Sequence, residues 1–198
     1  MGECTGITFI DSTRIPVCEN KRQSRNRVFK GYAQKGKSTM GWYYGFKLHL
    51  LCNERGELLN FALTRANVDD RNPKIFNDLT KDLFGKLYAD KGYISQSLFA
   101  SLFDRSVHIV TGIRTNMKNR LMDVHDKIML RKRSIIETIN DMLKNVAQIV
   151  HTRHRSISNF IVNLLAGIAA YAFYDTKPSI NMEFEMDAKQ GIKQLTLF

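Results

Sequence analysis

Three acidic residues have the types and surroundings that a hard divalent cation requires. Asp11 lies in the apolar, β-branched run GITFIDSTRI, residues 6–15, and Asp90 directly follows the run KLYA. We predict that each of these two acids ends a strand. A charge there is expensive to bury unless something pairs with it, so Asp90 either caps a turn or holds a cation. The third acid, Glu137, lies in a predicted helix.

Two aspartates and a glutamate can hold two divalent cations between them. Mg²⁺ prefers hard oxygen ligands and keeps several of its waters. A pair of such ions activates a water or a 3′-hydroxyl and stabilises the leaving oxygen of an in-line phosphoryl displacement. This chemistry needs no Cys or His ligand, and it predicts that basic residues elsewhere hold a phosphate backbone.

The elements that position these acids follow from the periodicity of the chain. Strands are predicted at residues 6–15, 42–53, 58–67, 86–90 and 107–113, and helices at 72–84, 95–106, 122–150 and 158–174. A β-meander followed by alternating strands and helices predicts an α/β protein, with a mixed β-sheet flanked by α-helices. Sites in open sheets form beyond strand ends. If the strands of Asp11 and Asp90 are parallel neighbours, their carboxylates converge.

Glu137 lies away from the side of its helix that faces the core. The expected core stripe consists of apolar residues at helical spacing, namely Ile135, Ile136, Ile139, Met142, Leu143, Val146 and Val150. Glu137 falls about 160° from Ile139, at 100° per residue, with Arg133 and Lys144 beside it. The alternative is a solvated face on which Arg133 and Glu137 form an ordinary i,i+4 ion pair.

The charge balance points to a polyanionic partner. The 198 residues include 30 Lys and Arg against 19 Asp and Glu, a net charge of +11. The surplus is spread along the chain, which favours nucleic acid over a membrane, although a merely basic protein would look similar. Three cysteines without metal-ligand spacing indicate neither a zinc site nor a disulfide framework, and they favour a reducing cytoplasm. The longest apolar run, residues 160–174, is short for a membrane span and predicts a buried helix.

A polar segment, residues 20–41, is predicted to be a long loop that contacts DNA. It contains basic residues and no acid, namely Lys21, Arg22, Arg25, Arg27, Lys30, Lys35 and Lys37. Tyr32 lies among them and could stack on an unpaired base. The alternative is a solvated loop without a ligand. A second basic cluster, which includes Arg153 and Arg155, is predicted either to bind phosphate or to complement a helix dipole.

Together these motifs resemble the DDE transposases of bacterial insertion sequences. FIDST and YADKGY are similar to the strand-end aspartates of that family. The predicted helix is similar to its Tyr-x2-Arg-x3-Glu-x6-Lys signature, with Leu130 where the tyrosine would stand. The resemblance extends over residues 6–174, and three motifs in order are more specific than any one of them.

The resemblance implies a ribonuclease H-like fold, two Mg²⁺ ions for which Mn²⁺ substitutes, and cut-and-paste or related DNA strand transfer. It makes Asp11, Asp90 and Glu137 the catalytic, metal-binding triad. Arg133 and Lys144 would contact DNA or support the metal ligands. DNA is the implied partner, a homodimer in the DNA complex is a candidate assembly, and a cytoplasmic, nucleoid-associated location is expected.

Such transposases usually carry an N-terminal segment that recognises the ends of the element. Asp11 lies so close to the start of this sequence that we expect this segment to be missing. We expect one catalytic domain over residues 1–177. The apolar pattern ends after Pro178, so residues 178–198 are predicted to be a flexible C-terminal tail.

The tail is predicted to be a docking peptide. Its last residues, Gln194, Leu195, Thr196, Leu197 and Phe198, resemble the pentapeptide with which many bacterial proteins bind the replication sliding clamp. Leu197 and Phe198 can fill an apolar pocket, while the Gln194 amide can donate and accept hydrogen bonds. The alternatives are that these side chains fold back onto the domain or match by chance.

Three functions stay open on the sequence alone, and the transposase catalytic domain is the first. A metal-dependent nuclease or resolvase on the same fold would differ only in the attacking group. A DNA-binding transposase remnant without activity would block or recruit the intact enzyme.

Overall fold

The computed structural model describes residues 1–113, 121–150 and 154–180. The strands in these ranges are β1 (Ile7–Cys18), β2 (Gln34–Ser38), β3 (Gly41–Asn53), β4 (Leu58–Arg65), β5 (Gly85–Ala89) and β6 (Val107–Thr111). The helices are α1 (Pro73–Leu79), α2 (Gln96–Phe103), α3 (Val124–Lys132), α4 (Ser134–Asn145) and α5 (Ile157–Ala172). The six strands form one mixed sheet with helices packed on it, which confirms the predicted α/β, ribonuclease H-like fold class.

The sheet has the strand order β2-β3-β1-β5-β6. β3 is antiparallel to β1, β2 and β4, whereas β1, β5 and β6 run parallel to one another. One edge of β3 is shared, because β2 pairs with residues 41–45 and β4 with residues 46–52. The predicted neighbouring, parallel strands of Asp11 and Asp90 are therefore β1 and β5.

Alternate residues of β1 face two separate cores. Phe9 and Ile15 lie in the core that includes the apolar faces of α4 and α5. Ile10 lies in the second core, with residues of α1 and α2. Since side chains alternate along a strand, Asp11 shares the face of Phe9 and Ile15, on which α4 lies.

Three predicted elements differ from the structure. β1 continues past Asp11 to Cys18, so the prediction that Asp11 ends its strand was wrong. The segment predicted as one long loop contains β2 and a 3-10 helix, Asn20–Arg25. The long helix is interrupted at Arg133 and ends at Asn145, which leaves Val146 of the expected core stripe 63% exposed.

The predicted buried helix is present as α5. It packs Phe160, Leu164, Ile168 and Tyr171 into the first core. Tyr171 donates from its hydroxyl to the carbonyl oxygen of Gly56 at 2.7 Å, which ties α5 to the β3–β4 turn. Among the described residues, no helix combines the length and apolar character needed to cross a bilayer.

The last described residues lie along the β3–β4 turn. The Ile180 amide donates to the carbonyl oxygen of Glu54 at 2.8 Å, and its side chain packs against the first core. The division predicted after residue 177 falls beside this contact. Residues 181–198, with the predicted docking pentapeptide, lie outside the described residues.

Candidate active site

Asp11 is the most enclosed of the three predicted acids. Its backbone pairs with Leu50 of β3, while the parallel pairing of β1 with β5 ends two residues earlier. Its side chain is 23% exposed. Burial raises its pKa to about 6, and the negative charges of Glu137 and Asp90 add to that rise, while the Arg133 guanidinium opposes it. All three neighbours therefore lie close enough to act on the Asp11 carboxylate.

Asp90 directly follows β5 and begins a 3-10 turn, Lys91–Tyr93. Its carbonyl oxygen accepts from the Tyr93 amide at 3.0 Å. Its side chain makes no capping hydrogen bond and is exposed to solvent. Of the two roles considered for this carboxylate, capping of the turn is therefore not observed.

Glu137 lies on a polar face of α4 that is directed at Asp11. Asn140 and Lys144 share this face, and Arg133, the residue just before α4, adjoins it, because spacings of three and four residues bring side chains to one side of a helix. Glu137 is 56% exposed. The Lys144 ammonium is partly buried, which lowers its pKa, whereas Asp141 and Asp11 oppose that effect.

Arg133 contacts acids from two elements. Its Nη2 atom lies 2.9 Å from Glu137 Oε1, and its Nη1 atom lies 3.6 Å from Asp11 Oδ1. The expected i,i+4 pair with Glu137 is thus present. It is also part of a larger arrangement, because the same guanidinium joins the helix acid to the strand acid.

Asn140 is a neighbour of Asp11 that the sequence patterns did not single out. Its Nδ2 atom donates to Asp11 Oδ2 at 3.0 Å, and it is 4% exposed. On the helical wheel it lies about 100° from Ile139, at the border between the core and the polar face. The sequence signal that could have identified Asn140 is its position three residues after Glu137, which brings the two side chains to neighbouring positions on the helix.

The donor atoms suit a hard divalent cation. Carboxylate oxygens are the ligands that Mg²⁺ and Mn²⁺ prefer, and a nearby cation would favour the ionised form of Asp11. In the described ranges, no three His, Cys, Asp or Glu side chains are grouped as a metal site. The Arg133 guanidinium instead supplies the positive charge between Asp11 and Glu137.

Comparison with known proteins assigns the family. The family model described as transposase DDE domain matches residues 1–157. The chain belongs to this family. The predicted transposase catalytic domain is thereby confirmed, and with it the prediction of an enzyme of this class. No curated protein matches the chain.

A solved structure resembles the transposase domain in fold. It is a piggyBac transposase in a synaptic complex with hairpin DNA, studied by cryo-EM. The match has a TM-score of 0.55 and 11% sequence identity, and it covers 87% of this chain and 47% of the piggyBac chain. At that identity the likeness concerns the fold alone, and this chain spans about half the length of its structural neighbour.

The basic residues between positions 20 and 41 that are predicted to contact DNA are solvent-exposed on the transposase domain. They lie on the 3-10 helix, on β2 and between them, and are Lys21, Arg22, Arg25, Arg27, Lys30, Lys35 and Lys37. Arg155 is also exposed, whereas Arg153 lies outside the described residues. We refer to the seven basic residues from Lys21 to Lys37 as the basic edge.

Trp42 is a second residue that the sequence analysis missed. It is the second residue of β3, beside the basic edge, and is 54% exposed. The Nζ atoms of Lys35 and Lys37 lie 5.1 Å and 5.9 Å from its ring centroid, at cation–π distance. Tyr32, which the sequence did suggest for stacking, is 56% exposed.

A polar cavity of about 500 Å³ lies beside the turn that follows Asp90. Its lining includes Gly92, Lys47 and Asp70, and Lys47 Nζ lies 2.9 Å from Asp70 Oδ1. The buried His49 lies next to this pair, with Nδ1 3.7 Å from Asp70 Oδ1 and Nε2 2.9 Å from Thr64 Oγ1. Burial lowers the pKa of His49 to about 4, although Asp70 opposes the shift.

Proposed function

We propose that this transposase domain cleaves DNA and transfers strands at the ends of a bacterial insertion sequence. Asp11, Asp90 and Glu137 would hold the divalent cations, with Mg²⁺ as the expected ion and Mn²⁺ as its substitute. The observation that carries the proposal is the contact of one guanidinium, Arg133, with both Asp11 and Glu137. An acid of the central strand β1 and an acid of α4 thus lie around the same positive charge, in a chain that belongs to a transposase family.

The three carboxylates are held to different extents by the elements that carry them. Asp11 is held by the β1–β3 ladder and by Asn140. Asp90 lies on a short turn, and the exposed Glu137 lies on the first turns of α4. Bound divalent cations would activate the attacking water or 3′-hydroxyl and stabilise the leaving oxygen. The residues of the chain orient the phosphodiester and balance its charge.

Arg133 and Lys144 are suited to the phosphodiester. Both are cationic. Lys144 lies on the face of α4 directed at Asp11, and Arg133 directly precedes that helix and contacts Asp11. A guanidinium can bind two phosphate oxygens at once, whereas an ammonium acts as a point charge. We therefore assign both residues to DNA contact at the reacting phosphate.

The basic edge is proposed to bind those parts of the DNA that lie away from the reacting phosphate. Its seven cations are exposed, and each phosphate that they neutralise would release counterions. Trp42 and Tyr32 add exposed aromatic faces on which an unpaired base can stack. Arg153 and Arg155 are proposed as further phosphate contacts.

A strand-transfer assay tests the proposed reaction. Uncut and pre-cut element ends are each incubated with a labelled target duplex and Mg²⁺, and a parallel pre-cut substrate carries a blocked 3′-hydroxyl. The proposal expects joined products from the free 3′-end, none from the blocked end, and loss of both cleavage and joining in Asp90→Asn with DNA binding retained. Asp82→Asn is the matched control, because Asp82 is an exposed acid paired with Lys81.

The same assay distinguishes the two alternatives. A metal-dependent nuclease or resolvase that uses water would release cleaved DNA without joining it to the labelled target. A remnant would bind the DNA and leave it intact. Either result would contradict strand transfer.

The remaining partners are proposed from sequence alone. The terminal residues Gln194, Leu195, Leu197 and Phe198 are proposed to bind the replication sliding clamp. We retain residues 1–177 as the proposed catalytic domain and residues 178–198 as its tail. A homodimer in the DNA complex and a nucleoid-associated, cytoplasmic location follow from the proposed substrate.

A further inference from the structure

The two oxygens of the Asp11 carboxylate contact different side chains. Oδ2 accepts a hydrogen bond from Asn140 Nδ2 at 3.0 Å. Oδ1 lies 3.6 Å from Arg133 Nη1. One oxygen is therefore fixed by a neutral amide, while the other faces the charged side of the site that also contains Glu137.

The amide of Asn140 is an unfavourable choice for packing alone. The residue is 4% exposed and follows Ile139, which is fully buried in the first core. Among the described residues, the Oδ1 atom of Asn140 has no hydrogen-bond partner. A buried acceptor without a donor destabilises a fold, and an apolar side chain of similar size would avoid that penalty.

The direction of the Asn140 amide follows from the chemistry of its neighbour. A carboxylate oxygen accepts hydrogen bonds, so the NH₂ group of the amide is the end that stabilises it. The contact joins positions 129 residues apart in sequence. It fixes α4 relative to β1 at the point where both elements carry an acid of the site.

We propose that Asn140 is a positioning residue for Asp11 in metal binding. Its amide binds Oδ2 and leaves Oδ1 on the side of Arg133 and Glu137, where a cation shared by the two carboxylates would bind. The proposal rests on the metal site proposed above and assigns Asn140 no contact with DNA or with the reacting atoms. Partners that orient metal ligands typically change metal affinity 10- to 100-fold when removed.

The test compares Asn140→Leu with Ile139→Val in the full 198-residue chain. Leucine keeps the size of the side chain and removes both polar atoms, whereas Ile139→Val removes one buried methyl group without touching Asp11. Mn²⁺ binding is measured by calorimetry and thermal stability by circular dichroism in chelator. Asn140→Ala replaces the leucine variant if that variant does not fold.

The two variants should separate affinity from stability. We expect Asn140→Leu to weaken Mn²⁺ binding about tenfold or more, with Tm within about 4 °C of the wild type. Ile139→Val should lower Tm and leave the Mn²⁺ affinity within about twofold. Wild-type affinity in Asn140→Leu, while the wild type binds Mn²⁺, would overturn the role of Asn140. A wild-type chain that binds no Mn²⁺ would overturn the metal site itself and the role of Asn140 with it.

Discussion

Arg133 and Glu137 form an ion pair one helical turn apart, with 2.9 Å between Nη2 and Oε1. Glu137 is 56% exposed, and an exposed pair of this kind contributes only a few tenths of a kcal/mol. Its importance comes from the other end of the guanidinium, which reaches the half-buried Asp11. Arg133 thus offsets the repulsion between two acids that the fold brings together.

Replacement of Arg133 by Ala should leave the repulsion between Asp11 and Glu137 uncompensated. In chelator we expect Arg133→Ala to lower the free energy of unfolding by about 1–2 kcal/mol, between the values for exposed and buried pairs. Added Mn²⁺ should then raise Tm more than it does in the wild type, because the cation replaces the lost positive charge. Arg131→Ala, at an exposed position of α3, is the control. Thermal melts with and without Mn²⁺ decide the matter, and an equal Mn²⁺ shift in both proteins would contradict the prediction.

Asp11→Asn should stabilise the fold and abolish activity. The pKa of Asp11 is raised to about 6 by burial, so folding disfavours its ionised form. At pH 7 in chelator, the neutral amide should increase the free energy of unfolding on the order of 1–3 kcal/mol. It keeps an oxygen that can accept from Asn140. Denaturant titration measures the change, and a less stable variant would refute this account of the site.

His49 should make the fold sensitive to mild acid. Its folded pKa is lowered to about 4 from 6.5, so the unfolded chain binds more protons between these values and stability falls as pH falls through that window. Asp70 at 3.7 Å opposes the shift, while Lys47 and burial support it. The loss is on the order of 3 kcal/mol at most.

His49→Gln isolates this contribution, because glutamine can bond Thr64 but does not titrate. We expect the difference in stability between variant and wild type to be constant above pH 7 and to shift in favour of the variant toward pH 4. Urea titrations across this range measure it. Parallel pH profiles for the two proteins would show that His49 is not the source.

The basic edge should set the salt dependence of DNA binding. Alanine at Lys35 and Lys37 should reduce the slope of log K against log[salt] by about 0.9 for each lost duplex phosphate contact. Fluorescence anisotropy of labelled DNA gives the slope. Trp42 is the single tryptophan of the chain, so quenching of its fluorescence by single-stranded DNA reports stacking directly. Lys81→Ala is the control, and an unchanged slope in the double variant would indicate a solvated edge without DNA.

The terminal pentapeptide can be tested without the transposase domain. A peptide ending in Gln-Leu-Thr-Leu-Phe is titrated against purified sliding clamp, beside a version with Ala at Gln194, Leu197 and Phe198. We expect binding at tens of micromolar or tighter, roughly 6 kcal/mol or more, for the first peptide alone. Equal binding of the two peptides, or binding of neither, would remove the docking hypothesis and leave the catalytic one intact.

Helix caps and tight turns, which depend on a few adjacent residues, were predictable from sequence. Asn72 followed by Pro73 is typical of a helix start, and the Asn72 side chain accepts from the amides of Lys74 and Ile75 at the start of α1. The turn ERGE joins β3 to β4, with Gly56 at a φ of +74° that favours glycine. Each of these depends on residues close together in sequence.

Features that depend on tertiary context were missed. β2 has the sequence QKGKS, and its lysines point outward while the buried Gly36 packs against Ala66. A strand whose inward residue is glycine carries no apolar alternation. The interruption at Arg133 has no Gly or Pro to signal it. The spacing of Asn140 from Glu137 places it beside the polar face of the helix, but its contact with Asp11 joins residues 129 apart and depends on the topology.

Because the helix is interrupted at Arg133, α3 contacts β5 while α4 contacts β1. Asp126 of α3 accepts from Lys86 and Tyr88 of β5 at 2.7 Å and 2.8 Å, whereas α4 is fastened to β1 through Asn140. Each helix is therefore tethered to the strand that carries or precedes one of the aspartates. The two helices meet at Arg133, the residue that contacts both Asp11 and Glu137. One side chain therefore lies where the two tethers join and where the charges of the site are balanced.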